Sequence, residues 1–499
     1  MLSLRHKHYG MKKLSTFIFF VCLLGGVVLA QSPTDALRFS QTDPLGSARM
    51  LGVGNAFTAL GADLGVLSLN PAGLAMFRST EFVFSPGFVT TNTRAALEGD
   101  DNLASNQSYR KLKVGSTGLV FYHEPRSSSP WKSMNMAIAY NRTASYGSSV
   151  FYSGISEGSI AQHWTEDAQA SQTFDPFSTN LAWETSAIYD NNQDGVYEND
   201  FQSVPGAKVK RAQNINTSGG QSDIQFAIAG NYEHRFMVGA TIGVPILGFN
   251  ETKEYTESDD NDEVPYFNNL KFTELLSTSG VGINAKLGFI FRVSQALRFG
   301  LSAHTPTQFS LEDAFSSQLE HSYTDANNFP PFTESSPSGS FKYQLTTPWR
   351  FSSGLAFLMG SHGFVSADVE WVDYSSAKFD FSNGGIEDIE YEQEVNSRIS
   401  NDFKGGVRAR LGAEYAYDVF RVRGGLGMNS SAYRDDDNYY PTFSFGLGLR
   451  EKRFYLDVSY RFDQQKDTFS PFSRVDATLQ PQIDERIRSG YALVTFGFK

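Results

Sequence analysis

Alternation of apolar and polar residues is the dominant pattern along the chain. In the segment 454–462 every second residue is apolar, beginning at Phe454, and the residues between them include Asp457, Ser459 and Arg461. The same period of two recurs in the segments 134–141, 365–371, 420–427 and 443–450. Successive side chains of a strand point to opposite faces, so this period predicts β-strands with one apolar face. A soluble sandwich and a barrel surrounded by lipid both fit the alternation alone.

The pattern predicts fourteen strands joined by connections that alternate in length. The strands are expected at 80–90, 114–124, 134–146, 222–234, 236–249, 280–292, 296–309, 341–358, 363–374, 404–416, 419–428, 442–450, 453–463 and 490–498. The long connections include 147–221, 250–279, 310–340, 375–403 and 464–489, and the short ones include 234–235, 293–295, 359–362, 417–418 and 451–452. An even strand number, with short turns at one end and long loops at the other, is the layout of bacterial outer-membrane barrels. The sequence therefore predicts an all-β fold, a 14-stranded antiparallel transmembrane β-barrel formed by residues 80–499.

Composition narrows the classes of function. Only 19% of the 499 residues are charged, 14% are aromatic, and the formal net charge is −12. This charge does not fit a basic nucleic-acid binder, so no nucleic-acid partner is expected. The single cysteine, Cys22, excludes a disulfide scaffold.

Residues 1–30 have the layout of a secretory signal peptide. Lys12 and Lys13 precede an apolar run that extends from Leu14 to Ala30, and either Met1 or Met11 could be the start. A positive end, an apolar middle and a small-residue exit are the parts of such a signal, and a membrane anchor is the less favoured alternative. With the predicted strands, the signal indicates the cell outer membrane of a Gram-negative bacterium.

The segment 31–79 precedes the first predicted strand and is too apolar for a disordered tail. It is rich in Gly and Ala and carries apolar residues such as Leu51, Phe57 and Leu67. A barrel of fourteen strands is wide enough to leak unless its bore is filled. We therefore expect residues 31–79 to form a hatch, a plug inside the barrel.

Three motifs in this segment resemble a known family. Residues 46–57 read Gly-Ser-Ala-Arg-Met-Leu-Gly-Val-Gly-Asn-Ala-Phe, residues 61–63 read Gly-Ala-Asp, and Asn-Pro-Ala-Gly-Leu at 70–74 is followed by Phe77. These motifs resemble the N-terminal hatch of the FadL family of outer-membrane long-chain fatty-acid transport proteins. Weaker similarity lies at 300–306, 347–349 and 368–375. The resemblance assigns a hatch and gating role to Asn70, Pro71, Ala72, Gly73 and Phe77; a plain turn is the alternative for Asn-Pro.

The resemblance also implies a function. The resemblance implies a monomeric channel in a membrane of lipid and lipopolysaccharide that takes up hydrophobic compounds passively, with long-chain fatty acids as the expected ligands. External loops capture the ligand, an apolar pocket holds it, and movement of the hatch opens a route that in this family is thought to leave sideways through the barrel wall. The segment 147–221 does not align with a ligand-binding loop of the family, so the identity of the ligand stays open. A plugged structural or adhesive barrel and an outer-membrane lipid hydrolase are the alternatives.

The sequence predicts no enzyme, no catalytic residue and no cofactor. The six histidines after residue 30 form no zinc-protease pair, and no Gly-x-Ser-x-Gly elbow is present. The inward arginines Arg421, Arg423 and Arg461 are expected to pair with acids of the bore such as Asp457, Asp368 or Glu370, and a ligand carboxylate is the less favoured partner.

One calcium candidate remains in the segment 147–221. Asp190, Asn192 and Asp194 are followed by Gly195, in the spacing of the first half of a calcium loop. Position twelve of that loop would be Phe201 instead of Glu, so the bidentate ligand is missing. A plain acidic loop tip is the favoured interpretation.

Overall fold

The computed structural model describes residues 31–99, 102–126, 128–171, 173–324, 330–381 and 385–499. The predicted signal peptide, residues 1–30, lies outside the described residues. Among the helices of the described ranges, none combines the length and the hydropathy that a membrane crossing requires.

Fourteen antiparallel strands form one closed barrel, as predicted. The strands are β1 Glu81–Leu97, β2 Ser105–His123, β3 Trp131–Ser145 with Ser148–Glu157, β4 Lys208–Tyr232, β5 Phe236–Ser258, β6 Phe267–Arg292, β7 Leu297–His304 with Gln308–Tyr323, β8 Phe332–Ser335 with Gly339–Thr346 and Arg350–Leu358, β9 Gly363–Asp373 with Lys378–Asp380, β10 Gly405–Tyr417, β11 Phe420–Ser430, β12 Tyr439–Arg450, β13 Phe454–Phe469 and β14 Ile483–Phe498. Interrupted segments count as one strand because they pair with the same neighbour. The barrel closes where β1 pairs with β14, with Phe82 opposite Phe498.

Short helices occupy the chain before β1 and three of the long connections. The α-helices are α1 Pro33–Ser40, α2 Ala48–Gly52, α3 Ile160–Ala170, α4 Thr179–Glu184 and α5 Ile386–Asp402. The 3₁₀ helices are Leu64–Ser68, Pro71–Met76, Asp200–Ser203, Tyr374–Ser376 and Ala477–Leu479. Ser32 begins α1 with a capping box, in which its hydroxyl accepts the backbone N–H of Asp35.

Every strand presents an apolar side chain to the outside, and the inward faces carry polar and charged side chains together with apolar ones that pack against the N-terminal segment. We call the outward set the apolar band; one member from each strand in turn is Phe82, Leu119, Met136, Phe226, Ile242, Leu287, Leu301, Leu355, Val369, Leu411, Val422, Leu447, Val458 and Phe496. In β13, Val458 is 47% exposed whereas Asp457 and Ser459 are buried. The faces predicted from the alternation are therefore confirmed.

The strands are longer than the sequence predicted at the long-loop end. The segment 147–221 was expected as a loop, but Ser148–Glu157 and the start of β4 from Lys208 are strand. Much of the predicted loops 250–279, 310–340 and 464–489 is strand as well. Outside the apolar band the outward face of a strand no longer meets lipid, so backbone pairing persists without the regular alternation that reveals it.

The short turns lie at the other end, where they were predicted. Glu233, His234 and Arg235 join β4 to β5, and Glu233 and His234 have positive φ of 48° and 54°, a turn conformation that matches strand twist. Asp418, at the β10–β11 turn, has φ 49°. Asp and His are among the residues that tolerate this region.

Candidate functional site

The N-terminal segment, residues 31–77, is almost wholly buried and is bound by the inner faces of many strands. Its backbone donates to Asp368 from Thr58 at 2.7 Å and to Thr495 from Ala48 at 2.7 Å. Its carbonyls accept hydrogen bonds from inward-facing side chains of β3, β7, β9 and β12: Ser133, Asn135, Ser302, Ser366 and Ser444. Attachment to strands on several sides fixes the segment against the inner wall.

The structure brings together the residues that the resemblance assigned to a hatch. Asn70 is fully buried, and its side-chain oxygen caps the helix Pro71–Met76 by accepting the Ala72 N–H at 3.1 Å. Its amide donates to the Thr58 carbonyl at 2.6 Å. The Phe77 carbonyl accepts from Asn135 at 3.2 Å, which ties the end of the segment to β3.

Glycines in the wall and in the segment permit this close approach. A Cβ at Gly239 of β5 would lie 2.5 Å from the Pro71 carbonyl, and one at Gly288 of β6 would lie 2.0 Å from the Asn70 oxygen. Gly73 is equally confined, because a Cβ there would lie 2.9 Å from the Leu60 carbonyl. The Asn-Pro-Ala-Gly motif is therefore a packed contact of the segment with β5 and β6, and more than a plain turn.

Buried ion pairs hold the start of the segment. Glu370 of β9 lies between Arg350 at 2.5 Å, Arg408 at 3.5 Å and Arg410 at 3.4 Å. Two of these arginines also donate to carbonyls of the segment: Arg350 to Ser40 at 3.1 Å and Arg408 to Thr42 at 2.5 Å. The Glu370 carboxylate thus positions the arginines that bind the end of α1 and the connection between α1 and α2.

The predicted pairing of inward arginines is confirmed for two of the three. Arg423 lies 2.6 Å from both Asp457 and Glu414, and Arg461 lies 2.5 Å from Asp43 of the N-terminal segment. Arg421 instead donates to backbone carbonyls of its own turn.

A cavity of about 760 Å³ lies on the long-loop side of the N-terminal segment, and we call it the upper cavity. Its floor is α1, and its walls are the extended parts of β3–β7, β13 and β14 together with α3. Nine of its lining residues are aromatic: Tyr146, Trp164, Phe177, Phe249, Tyr255, Phe272, Phe315, Phe469 and Phe472. The size is that of a small-molecule site and the lining is largely apolar.

Several charged side chains lie among the apolar residues that line the upper cavity. The guanidinium of Arg38 lies 4.3 Å from the ring centre of Phe249, which is cation–π geometry. Lys253 lies 3.1 Å from Glu251. Glu485 of β14 lies opposite Asp467 of β13, and burial, followed by the charge of Asp467, raises the pKa of Glu485 to about 7. The cavity therefore offers both an apolar surface and groups that can meet a polar head.

The sequence did not identify these lining residues. Trp164 and Phe177 come from the stretch 147–221, which was expected as one loop, and Phe469 and Phe472 come from another, 464–489. The signal that could have found them is the density of aromatic residues in loops that were expected to be solvated.

The barrel wall has a gap between β2 and β3. β2 pairs with β3 only over Ser116–His123, opposite Met134–Asn141, although both strands continue beyond that point. The remainder of β2 pairs with β1 alone, and the remainder of β3 pairs with β4 alone. Two strand edges therefore face each other without a ladder between them.

The gap arises because β3 bends behind β1. The register of β3 shifts between Arg142 and Ala144, and the strand is interrupted before Ser148. Beyond the bend, inward-facing hydroxyls of β1 donate to β3 carbonyls: Thr91 to Gly147 at 2.8 Å and Thr93 to Ser149 at 2.5 Å. In β4, opposite the bend, Gly219 and Gly220 have φ of 113° and 152°, which glycine adopts without a steric penalty.

The N-terminal segment occupies this gap. The backbone N–H groups of Asp43 and Leu45 donate to the carbonyls of Thr143 at 2.7 Å and Arg142 at 3.0 Å, replacing partners that β2 does not supply. On the other edge, a Cβ at Gly115 of β2 would lie 2.9 Å from the carbonyl oxygen of Gly46. Residues 43–46 are thus in contact with both edges.

The other candidates from the sequence lie elsewhere. In the 190–195 turn, the Asp190 carboxylate accepts the backbone N–H groups of Asp194 and Gly195, and Asn192 is exposed. Within the described ranges, no group of three His, Cys, Asp or Glu side chains has the arrangement of a metal site. The calcium prediction stays a prediction.

Two buried histidines contact backbone carbonyls, and His163 lies 3.4 Å from the Asp167 carboxylate. His304 lies 2.8 Å from the Leu69 carbonyl, and His321 lies 3.0 Å from the Thr185 carbonyl. The Ser–His contact that a hydrolase of this kind would need is not seen in this part of the chain.

Comparison with solved structures identifies the fold. A Pseudomonas aeruginosa FadL homologue superposes with a TM-score of 0.55 at 10% identity, covering 92% of this chain and 99% of its own. The barrel shares the fold of that FadL homologue. The Pseudomonas putida toluene transporter TodX and the Ralstonia pickettii toluene transporter TbuX also match, with TM-scores of 0.49 and 0.48, identities of 11% and 12%, and coverage of 92% and 91% of this chain and 99% and 98% of theirs. No protein-family model matches the sequence, and no curated protein matches it either.

Proposed function

We propose that this protein is an outer-membrane channel for the passive uptake of hydrophobic compounds, with long-chain fatty acids as the first substrate class to test. The observation that carries the proposal is the wall gap between β2 and β3, which the N-terminal segment fills with its residues 43–46. A gap in a barrel wall that is closed by a separate segment provides a lateral route when that segment moves. The fold shared with a FadL homologue supports the same conclusion.

The apolar band supports the membrane location. Each strand exposes apolar side chains, such as Leu447 at 60% and Leu287 at 63%, while the inner face carries buried ion pairs. Contiguous apolar surface around the whole circumference is not stable in water, whereas the hydrocarbon of a bilayer accommodates it.

The upper cavity supports the ligand class. An acyl chain gains about 0.8 kcal/mol for each methylene that leaves water, so an aromatic-lined site can capture it without an energy source. Charged groups among the aromatics can meet the polar end of an amphiphile: Arg38 and Lys253 line the cavity, each beside a carboxylate of the lining, Asp35 and Glu251 respectively. Because α1 forms the floor, a bound chain would contact the N-terminal segment directly.

We propose that the N-terminal segment acts as the hatch, with Asn70, Pro71, Ala72, Gly73 and Phe77 anchoring it to β3, β5 and β6. Their hydrogen bonds and glycine contacts support an anchoring role. The part that would move on opening is then the stretch from α1 to Gly46, which contacts both the upper cavity and the wall gap.

Deletion of residues 31–77, with residues 1–30 retained for export, tests this function. We expect the variant barrel to admit hydrophilic probes in proteoliposome swelling assays, because the bore is open. We also expect it to lose saturable uptake of decanoate, a soluble medium-chain analogue of a long-chain fatty acid, because the floor of the upper cavity is gone. A barrel that stays closed to hydrophilic probes would reject the hatch role. If the wild-type protein also shows no saturable decanoate uptake, the result would favour a plugged structural barrel.

A further inference from the structure

A second cavity, of about 610 Å³, lies at the short-turn end of the barrel, and we call it the lower cavity. It is separate in place from the upper cavity and the wall gap, because its lining comes from the other end of the strands. Eight of its lining residues are Arg or Lys and three are Glu. This excess of positive charge stands out in a chain whose formal net charge is −12.

Two of the basic residues form a like-charged pair. Arg292, at the end of β6, lies directly opposite Arg298, at the start of β7. Both side chains line the lower cavity, so both point inward from neighbouring strands. Side chains that face each other across a ladder have Cβ atoms about 4.5–5.5 Å apart, and like charges at that separation destabilise the sheet. The pair also lies within electrostatic range of Arg78.

Three other cations of the lower cavity, Arg49, Arg450 and Lys499, have carboxylate partners, and this pair does not. Arg49 lies 3.2 Å from Glu414, and Arg450 lies 3.4 Å from Asp457. Among the described residues, Arg292 and Arg298 form no ion pair with a carboxylate, and the Nε of each is buried without a hydrogen-bond partner.

The one hydrogen bond from the Arg298 side chain within the described residues goes to the Met76 sulfur at 3.2 Å. A thioether is a weak acceptor, so the guanidinium is left largely unsatisfied. Met76 belongs to the N-terminal segment and lines the same cavity beside Phe77. An apolar surface therefore adjoins the paired arginines.

We propose that Arg292 and Arg298, with Arg78 at the rim, form a binding site for an oxyanion, a carboxylate or a phosphate group, in the lower cavity. A guanidinium matches two oxygens of such a group with parallel donors, and two guanidiniums converging from adjacent strands fit a single anion between them. A bound anion removes the like-charge repulsion that the fold otherwise sustains. The anion is either a free ion or the head of an amphiphile whose chain lies against Met76 and Phe77.

Isothermal titration calorimetry of the full-length protein in dodecyl maltoside tests the site. The probes are sodium phosphate as a free oxyanion, sodium decanoate as an oxyanion on a hydrocarbon chain, and decanol as the same chain without charge. We expect the double variant R292Q/R298Q to bind phosphate at least tenfold more weakly than wild type, or to lose one class of decanoate sites while keeping the class that belongs to the upper cavity. Decanol binding should be unchanged in the same variant.

Arg421 supplies the matched control. It lines the same cavity, but its guanidinium already donates to the carbonyls of Asp418 and Phe420 at 2.7 Å. R421Q should therefore bind both anions like wild type. R292K/R298K keeps the charge and loses the paired donors, so we expect it to bind between wild type and R292Q/R298Q.

The probes distinguish the sources of the anion. A loss confined to decanoate assigns the site to an amphiphile, and a loss of phosphate binding assigns it to a free ion as well. Equal binding of both anions by wild type and R292Q/R298Q would overturn the proposal. Thermal unfolding provides a second measurement: phosphate or decanoate should raise the midpoint of the wild type more than that of R292Q/R298Q, and equal shifts would count against the site.

This inference goes beyond the proposed uptake function. The lower cavity does not include the wall gap or the lining of the upper cavity. Uptake through the gap and anion binding at the short-turn end can therefore fail separately in the two sets of experiments.

Discussion

Glu485 gives the upper cavity a response to pH. Its side chain is only 9% exposed, one of its carboxylate oxygens has no hydrogen-bond partner within the described residues, and its pKa is raised to about 7 by burial and then by Asp467. The contribution of Glu485 to the stability of the fold is fully present when the pH is below about 4.3, the pKa of a glutamate in an unfolded chain. This contribution is lost as the pH rises through about 7.

The consequence is a pH-dependent affinity for anionic amphiphiles. Lowering the pH from 8 to 6 protonates Glu485, removes a negative charge from the cavity and should tighten decanoate binding by about tenfold, roughly 1.4 kcal/mol. Glu485→Gln should bind tightly at both pH values in a fluorescence displacement assay. An equally steep pH dependence in that variant would rule out Glu485 as the titrating group.

Glu370 is the residue whose loss should cost the barrel most stability. Glu370→Gln leaves Arg350, Arg408 and Arg410 without their shared carboxylate, and uncompensated buried charge typically costs about 3–5 kcal/mol. We expect a lower midpoint for the heat-induced mobility shift in gel electrophoresis. Glu312→Gln is the control, because its pair with Lys342 is exposed and should contribute little.

At the residue level, the sequence predicted the strand face on which a side chain lies better than it predicted the residue that the side chain contacts. The alternation in β13 placed Asp457 and Arg461 inward, and the structure confirms this. The partners of the inward arginines were found in part: Arg423 does pair with Asp457, whereas Asp43 of the N-terminal segment was not foreseen as the partner of Arg461. A one-dimensional pattern gives the face of a side chain, but a contact between distant elements depends on the fold.

At the level of elements, the contact of residues 43–46 with β2 and β3 is the place where a single substitution should open the wall gap. Gly115→Val adds atoms that would lie 2.9 Å from the backbone oxygen of Gly46, which has no side chain to move aside. We expect the segment to be displaced from the gap, with loss of the Leu45 hydrogen bond to Arg142 and faster decanoate uptake into proteoliposomes.

Gly424→Ala provides the matched control for this variant. Gly424 also lies in a strand, β11, but a Cβ there meets nothing within 4 Å. Uptake by Gly424→Ala should equal that of wild type. Unchanged uptake by Gly115→Val, with the protein correctly assembled, would show that residues 43–46 do not limit entry.

The number of strands could be predicted from the sequence, but the lengths of the strands could not. Fourteen strands follow from periodic segments such as 454–462, where one face is apolar. The first part of β4, from Lys208 to Gln221, has no such period, because neither of its faces meets the apolar band. The bend in β3 was also missed, although Gly147, Gly219 and Gly220 are the residues that could have indicated it.

For the whole molecule, the apolar band predicts which surface tolerates charge. Leu447→Arg places a cation in the middle of the band and should cost about 2–4 kcal/mol in urea unfolding from lipid bilayers. Asn438→Arg, in the exposed turn before β12, should change stability little. Equal stabilities of the two variants would contradict a hydrocarbon environment for the band.

The unequal height of the wall has a consequence for where substrates are gathered. β4 has 25 residues and β6 has 26, whereas β11 has 11. A tilted strand crosses the hydrocarbon with about 9–11 residues, so about fifteen residues of β4 and β6 stand outside it, a length of about 50 Å along the strand. In the proposed outer membrane, these projecting strands carry the upper cavity into the coat of saccharide that lipopolysaccharide forms. The protein would thus sample oily molecules from the aqueous side of that coat, before any of them dissolves in the acyl chains beneath.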